Sequence, residues 1–311
     1  MKSKLIFAAA ALAMCLVACE KKECLSSSTC FDICENLSSP ISTPIWHPVK
    51  NIIGFNWVEN STHYPQSSND SIGFWIVNEN GTNAHKILPY NLSYPSWTMD
   101  GENLLFTNSN GVICSMPFDG EKFDVDKIKS FGINGYGAIM NKKENKIAYM
   151  ENRDSINGEA VYVYDINNQV CEYIGKSNNI VSWSLGGDTL MYIFNDKIYA
   201  YDCSTHLSSL FHKFNEQFSS CSPVHFSPNH KDLSFVALYN DEIGRFLFNT
   251  NEEHTTRLTT NGYCSNFSYS QDGQWLVYVQ NIDEYQNETT TPTAWIVNIV
   301  SGNRRSMLNF E

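Results

Sequence analysis

The side chains able to carry chemistry here are carboxylates, tyrosines, histidines and cysteines, and their spacing decides what each set could do. No Gly-x-Ser-x-Gly turn is present to raise a serine nucleophile, and no His-Glu-x-x-His pair to hold zinc. Gly175-Lys176-Ser177 has the ending of a phosphate-binding loop, but Val170 stands where such a loop opens on glycine. Asp119-Gly120 lacks the neighbouring carboxylates that a calcium loop needs, which leaves it a turn.

Polar and aromatic side chains gather instead in three stretches, Trp57 to Ser71, Glu151 to Glu159 and Asn281 to Thr293. The first and third hold His63, Tyr64, Asp70, Asp283, Glu284, Tyr285 and Glu288. Tyrosine faces, an imidazole and carboxylates together suit recognition of a protein, peptide or glycan partner without catalysis. The alternative is acid–base work on a carbohydrate, as a lyase or hydrolase. Nothing in the pattern calls for a cofactor or a metal ion.

Cys24, Cys30 and Cys34 lie in a segment rich in Ser and Asn. A zinc site would need closer spacing and a fourth ligand, so a disulfide within this set is expected, with free thiols or a metal as the alternatives. Cys221 and Cys264 occupy matching places five residues before two aromatic anchors of the repeat described below. They read as small buried thiols rather than as a metal or redox pair.

At the N-terminus, Lys2 and Lys4 precede an apolar run from Leu5 to Leu16 that is too short to span a bilayer permanently. The following Leu16-Val17-Ala18-Cys19 resembles the lipobox of bacterial lipoproteins. That resemblance implies a signal peptide over residues 1–18, a lipid-anchored Cys19 and a polar tether over residues 19–40. Glu20 after Cys19 implies delivery to the outer membrane of the cell envelope by the same family's sorting rule. The chain carries 21 basic and 33 acidic residues, a formal net charge of -12. Loss of Lys2 and Lys4 with the signal makes the remainder more acidic still. A body so acidic repels phosphate backbones, which argues against a nucleic-acid partner.

The elements that must position these groups come from a repeat. Six segments align without gaps, each an aromatic or apolar anchor, a polar turn and a second aromatic. They are Trp46 to Phe55, Trp97 to Phe106, Met140 to Tyr149, Trp183 to Tyr192, Phe226 to Phe235 and Tyr269 to Tyr278. The anchors stand at 46, 97, 140, 183, 226 and 269, so the last five are evenly spaced. Each copy continues through a variable loop into an alternating apolar strand, such as Phe74-Trp75-Ile76-Val77 or Val161-Tyr162-Val163-Tyr164. Asp100-Gly101, Gly186-Gly187 and Asp272-Gly273 fall at the first tight turn.

Four antiparallel strands per copy, six times over, predict an all-β chain folded as a six-bladed β-propeller of four-stranded blades. Trp183-Ser184, Phe226-Ser227-Pro228 and Tyr269-Ser270-Gln271-Asp272-Gly273 resemble the repeat of TolB-like propellers, also called PD40 or WD40-like. The resemblance covers residues 41–310 and speaks to fold rather than to function. The expected blades are 41–91, 92–134, 135–177, 178–220, 221–263 and 264–311, each complete in itself. The anchors then pack as core, and the face reached by the longest loops surrounds the mouth of the axial channel. Residues four and five places before the anchors should also reach that mouth, among them Tyr136, Asn178, Asn179, Cys221, Ser222, Cys264 and Ser265. His225 is a further candidate ligand group, set against its reading as a hydrogen-bonded core imidazole. Blades one and six must be neighbours, which sets their two long loops side by side.

Overall fold

The computed structural model describes residues 41–58, 71–153, 158–240, 242–259, 263–281 and 293–308, all within the compact unit Ser38–Glu311. Six antiparallel sheets succeed one another along the chain, each from consecutive strands. The first blade is β1 (Ile41–Trp46), β2 (Ile52–Trp57), β3 (Gly73–Asn78) and β4 (His85–Leu88). The second is β5 (Ser93–Trp97), β6 (Asn103–Thr107), β7 (Val112–Pro117) and β8 (Lys129–Asn134). The third runs through β9 (Tyr136–Met140), β10 (Lys146–Arg153), β11 (Gly158–Asp165) and β12 (Val170–Lys176). The fourth comprises β13 (Asn179–Trp183), β14 (Thr189–Phe194), β15 (Lys197–Asp202) and β16 (Leu207–Lys213). The sixth closes the ring with β22 (Tyr263–Tyr269), β23 (Trp275–Asn281), β24 (Thr293–Asn298) and β25 (Arg304–Ser306).

The fifth blade departs from this plan. Its inner strand is split into β17 (Phe218–Ser219) and β18 (Val224–Phe226), both paired with β19 (Asp232–Tyr239), which is followed by β20 (Glu242–Asn249) and β21 (His254–Arg257). Pro223 lies in the gap and has no N–H to give the ladder. The first strand of this blade thus begins at Phe218, whose ring packs on Phe235 and Phe246 with centroids 5.5 and 5.0 Å away.

The residue after each anchor explains why the first turn forms. His47, Thr98, Asn141, Ser184, Ser227 and Ser270 each aim a polar side chain back at their own turn. Thr98, Ser227 and Ser270 hydroxyls accept the N–H groups of Asn103, Asp232 and Trp275 at 3.0 Å. Ser184 accepts that of Thr189 at 3.1 Å, and Asn141 Oδ1 that of Lys146 at 3.0 Å. In the first blade His47 Nδ1 accepts the N–H groups of Val49 and Lys50, while Nε2 faces the Gly101 carbonyl at 3.1 Å. The imidazole is thus the neutral Nε2–H form, and burial depresses its pKa to about 4. Gly101 sits at φ 74, and a Cβ there would come within 2.2 Å of the His47 ring.

The apolar core lies between the blades, not within one central mass. Six clusters of buried side chains each span one junction. Trp46, Phe55 and Trp57 of blade one meet Val277, Val279 and Ile296 of blade six in one of them. Phe55, Phe74 and Phe235 are fully buried, each stabilising its junction by about 2–3 kcal/mol on area grounds. The anchors behave as core: Trp46, Trp183, Phe226 and Tyr269 are buried and Trp97 is nearly so. Among the described residues no strand passes from one blade to another, and β1 packs against β22 and β23 to close the ring.

Candidate functional site at the channel mouth

Strand direction fixes which loops share a face. At five of the six junctions the first strands of neighbouring blades touch one another, and so they line the axis. Each strand after the first runs antiparallel to its predecessor, so the entries to the first strands and the second-to-third-strand loops emerge at one end. The first tight turns and the third-to-fourth-strand turns lie at the other.

At the mouth the first strands of blades one to three carry a bulge. The residue three before the anchor takes a left-handed backbone there: Thr43 at φ 47, Tyr94 at φ 51 and Gly137 at φ 60. Glycine is the residue suited to that conformation, and tyrosine is not. Tyr94 is nevertheless held in it, with 54% of its surface exposed and its ring 5.0 Å from that of Tyr136 at an interplanar angle of 38°. Tyr136 is half-buried and donates its hydroxyl to Glu159 Oε1 at 2.6 Å. Burial first, and then the Glu159 carboxylate, push the Tyr136 phenol far above its ordinary pKa. It is therefore a fixed donor and not an acid that gives up its proton.

Neighbouring contacts hold this group in place. Thr107 Oγ1 donates to the Gly135 carbonyl at 3.0 Å, and the Gly135 N–H reaches the Gly111 carbonyl at 2.9 Å, tying blade two to the entry of β9. One blade earlier, buried Asn56 donates to Leu92 O at 2.8 Å and accepts from Leu92 N at 2.9 Å, clamping blades one and two.

Of the residues expected at the mouth, Tyr136 joins the cluster just described. Asn178 is exposed at the same end, where its Oδ1 accepts the Asn195 N–H and caps the turn between β14 and β15. Asn179 pairs with Ile193 in the ladder. Cys221 is buried and free, and its N–H donates to Asp196 Oδ1 at 2.7 Å. His225 lies further down β18, edge-on to Phe267 with centroids 4.8 Å apart. Its pKa falls to about 4, chiefly through desolvation and then through the Arg245 charge, so the ring is neutral. Cys19, Cys24, Cys30, Cys34, His63, Tyr64, Asp70, Asp283, Glu284, Tyr285 and Glu288 lie outside the described residues, as do the side chains of Cys264 and Ser265.

Tyr94, Asn56 and the role of Glu159 were not anticipated from sequence. A signal existed for Tyr94: in the aligned repeats Gly137 occupies its place, marking a left-handed position that a tyrosine fills only at a cost. Among the described residues no three His, Cys, Asp or Glu side chains are grouped to hold a metal ion.

No family model and no curated protein matches the sequence. Solved structures do. TolB from Acinetobacter baumannii superposes with a TM-score of 0.61 at 13% identity, over 85% of this chain and 62% of that one. The chain thus spans less than two thirds of that protein's length. A putative TolB from Agrobacterium tumefaciens gives 0.57 at 14% identity, over 75% of this chain and 86% of the other. An oligogalacturonate lyase from Vibrio parahaemolyticus gives 0.53 at 10% identity, over 86% and 85%. Identities this low speak to architecture, which serves both scaffolds and enzymes. By its six blades and these likenesses, the chain has the fold of a TolB-like six-bladed β-propeller.

Proposed function

We propose that this protein is a non-catalytic binding module of the cell envelope, which recognises a protein, peptide or glycan partner with the face around its channel mouth. The observation that carries the reading is Tyr94, a bulky ring kept in a left-handed backbone with half its surface in water. Strain of that kind persists where the surrounding fold imposes it, and it concentrates at sites of recognition. The Tyr136 phenol and the His225 imidazole are held neutral, and neither is tuned toward proton transfer near pH 7.

The lipobox-like Leu16-Val17-Ala18-Cys19 supports a lipid anchor at Cys19 and an outer-membrane location. No helix among the described residues is long and apolar enough to cross a membrane. A photo-crosslinking residue placed at position 94 in the native host should capture a partner that the same residue at Leu185, in a first tight turn on the opposite face, does not. Equal capture from both positions would refute the choice of face. A Cys19→Ser chain that fractionates free of membranes supports the anchor, and one that stays bound after high-salt washing opposes it.

A further inference from the structure

We infer that the outer edge of blade four, strand β16 (Leu207–Lys213), is the pairing surface for a second copy of this chain, joined antiparallel across a two-fold axis at Leu210. The strand is the last of its sheet, on the rim of the ring and away from the axial channel, so its role does not depend on what the mouth binds.

Among the described residues β16 pairs with β15 alone, and no ladder forms on its other side. All of its residues but His212 are exposed. Leu207 and Leu210 are 69% and 56% exposed, and Phe211 keeps 47% of its surface in water while its ring meets Phe226 of blade five edge-on. The pairing with β15 shifts register between Leu210 and His212, which leaves Leu207 to Leu210 regular.

The other outer edges are guarded. Strands β4, β21 and β25 are three or four residues long and carry Lys86, Arg257, and Arg304 with Arg305. On β8 the Lys129 ammonium lies over the Phe131 ring at 5.0 Å, and β12 holds Glu172 near its middle, bonded to His206 at 2.9 Å. Short strands and charged side chains are how sheet edges avoid pairing with one another. By contrast β16 runs for seven residues with no charged side chain before Lys213.

Charge selects the occupant. Two chains of net charge -12 repel wherever their carboxylates meet, and β16 itself contains none. At one end of the β15–β16 hairpin Lys197 stands directly opposite Lys213, a like-charged pair that weakens the ladder, and at the other Asp202 stands opposite Leu207. Glu216, 3.5 Å from Lys213 and 90% exposed, offsets the lysine end only weakly. Antiparallel pairing lays the lysine end of each copy beside the Asp202 end of the other. Leu210, the middle residue of the strand, then meets its own counterpart on the axis, as a self-complementary two-fold contact requires. An apolar strand from another protein could line the same edge, but would not of itself match both charged ends.

The test is photo-crosslinking in intact cells of the native host that express two differently tagged copies of the full chain. The photo-crosslinking residue replaces exposed Ser209 on β16 or, as a control, exposed His254 on β21. Leu210→Lys and Leu210→Glu are each combined with the residue at 209, and since Leu210 is more than half exposed neither alters the core. Protease resistance in cell extracts establishes that each variant is folded.

A product carrying both tags is expected from position 209 and not from position 254. It should fall at least about tenfold when both copies carry Leu210→Lys or both carry Leu210→Glu, and return when one copy carries each. Absence of a two-tag product at 209, an equal product at 254, or a product indifferent to the like-charged pairs would each overturn the second copy as occupant. So would a mixed pair that is folded yet does not recover the product, or capture at 209 solely of a different polypeptide.

Discussion

The backbone N–H of Trp46 donates to Ser268 Oγ at 2.9 Å, joining the first strand of blade one to the first strand of blade six across 222 positions of sequence. Ser96, at the matching place before its own anchor, donates to the Ala138 carbonyl of the next blade at 2.5 Å. In these two blades the hydroxyl before the anchor stitches neighbouring inner strands together. Ser268→Ala should lower the free energy of unfolding by about 1 kcal/mol, because it leaves the Trp46 N–H without its partner. Chemical denaturation checks this, and an unchanged midpoint would mean that water replaces the hydroxyl at no cost.

The turn after the anchor makes a second prediction. Ser270 Oγ both donates to Asp272 Oδ1 at 2.6 Å and accepts the Trp275 N–H at 3.0 Å. Ser270→Ala is expected to cost about 1–2 kcal/mol, whereas Gln271→Ala on the exposed tip of the same turn should stay within about 0.5 kcal/mol of the parent. Comparable losses from both would count against the turn-holding role.

A carboxyl pair on the face opposite the mouth gives a pH dependence. Partial burial, and then its hydrogen bond and repulsion with Asp100, raise Glu144 to about 7. Asp100 is held below the ordinary carboxylate range by hydrogen bonds from Thr98, Glu102 and Glu144, against an opposing burial effect. The folded state thus binds the Glu144 proton more tightly than the unfolded chain does. The contribution to stability is fully present below the unfolded pKa and is lost as pH rises through about 7. Both side chains are exposed, so screening keeps the effect small. Melting temperatures of Glu144→Gln should show a shallower fall between pH 5 and 8 than those of the parent, and parallel profiles would exclude the pair as the cause.

Tyr94 and Tyr136 are expected to respond differently to substitution. Tyr94→Gly removes a left-handed strain of about 1–2 kcal/mol and loses a tilted ring contact of about 1 kcal/mol, so stability should hold or rise slightly. Tyr136→Phe loses the 2.6 Å bond to Glu159 and should destabilise by about 1–2 kcal/mol. Differential scanning calorimetry of the two variants decides it. A large loss for Tyr94→Gly would make the ring a structural element instead of a binding one.

Thiol reactivity should follow burial. Burial pushes the thiols of Cys114 and Cys221 up, and both are nearly inaccessible, whereas Cys171 is exposed on an outer strand. Brief iodoacetamide treatment at neutral pH should label Cys171 and spare the other two until denaturant is added. Peptide mass spectrometry reads the pattern, and early labelling of Cys221 would show that blade five opens locally.

The blades were legible in the sequence because the repeat writes the same local physics six times: an anchor, a polar residue that holds the turn, and an alternating strand. The split of the fifth inner strand leaves only Pro223 as its trace in the sequence, upstream of the anchor that the repeats share. The mouth was harder. Tyr136 was picked out by its distance from Met140, but its partners Tyr94 and Glu159 come from another blade and another strand. Such pairings depend on how successive blades turn about the axis, which no one-dimensional spacing records.

Because every blade is complete within its own stretch of chain, the unit that folds is also the unit that could be copied. A duplication or deletion of one whole repeat would leave no half-built sheet and no orphaned strand to be matched elsewhere. Such an architecture can change its circumference in a single genetic step, keeping each junction's packing rules and altering only the bore.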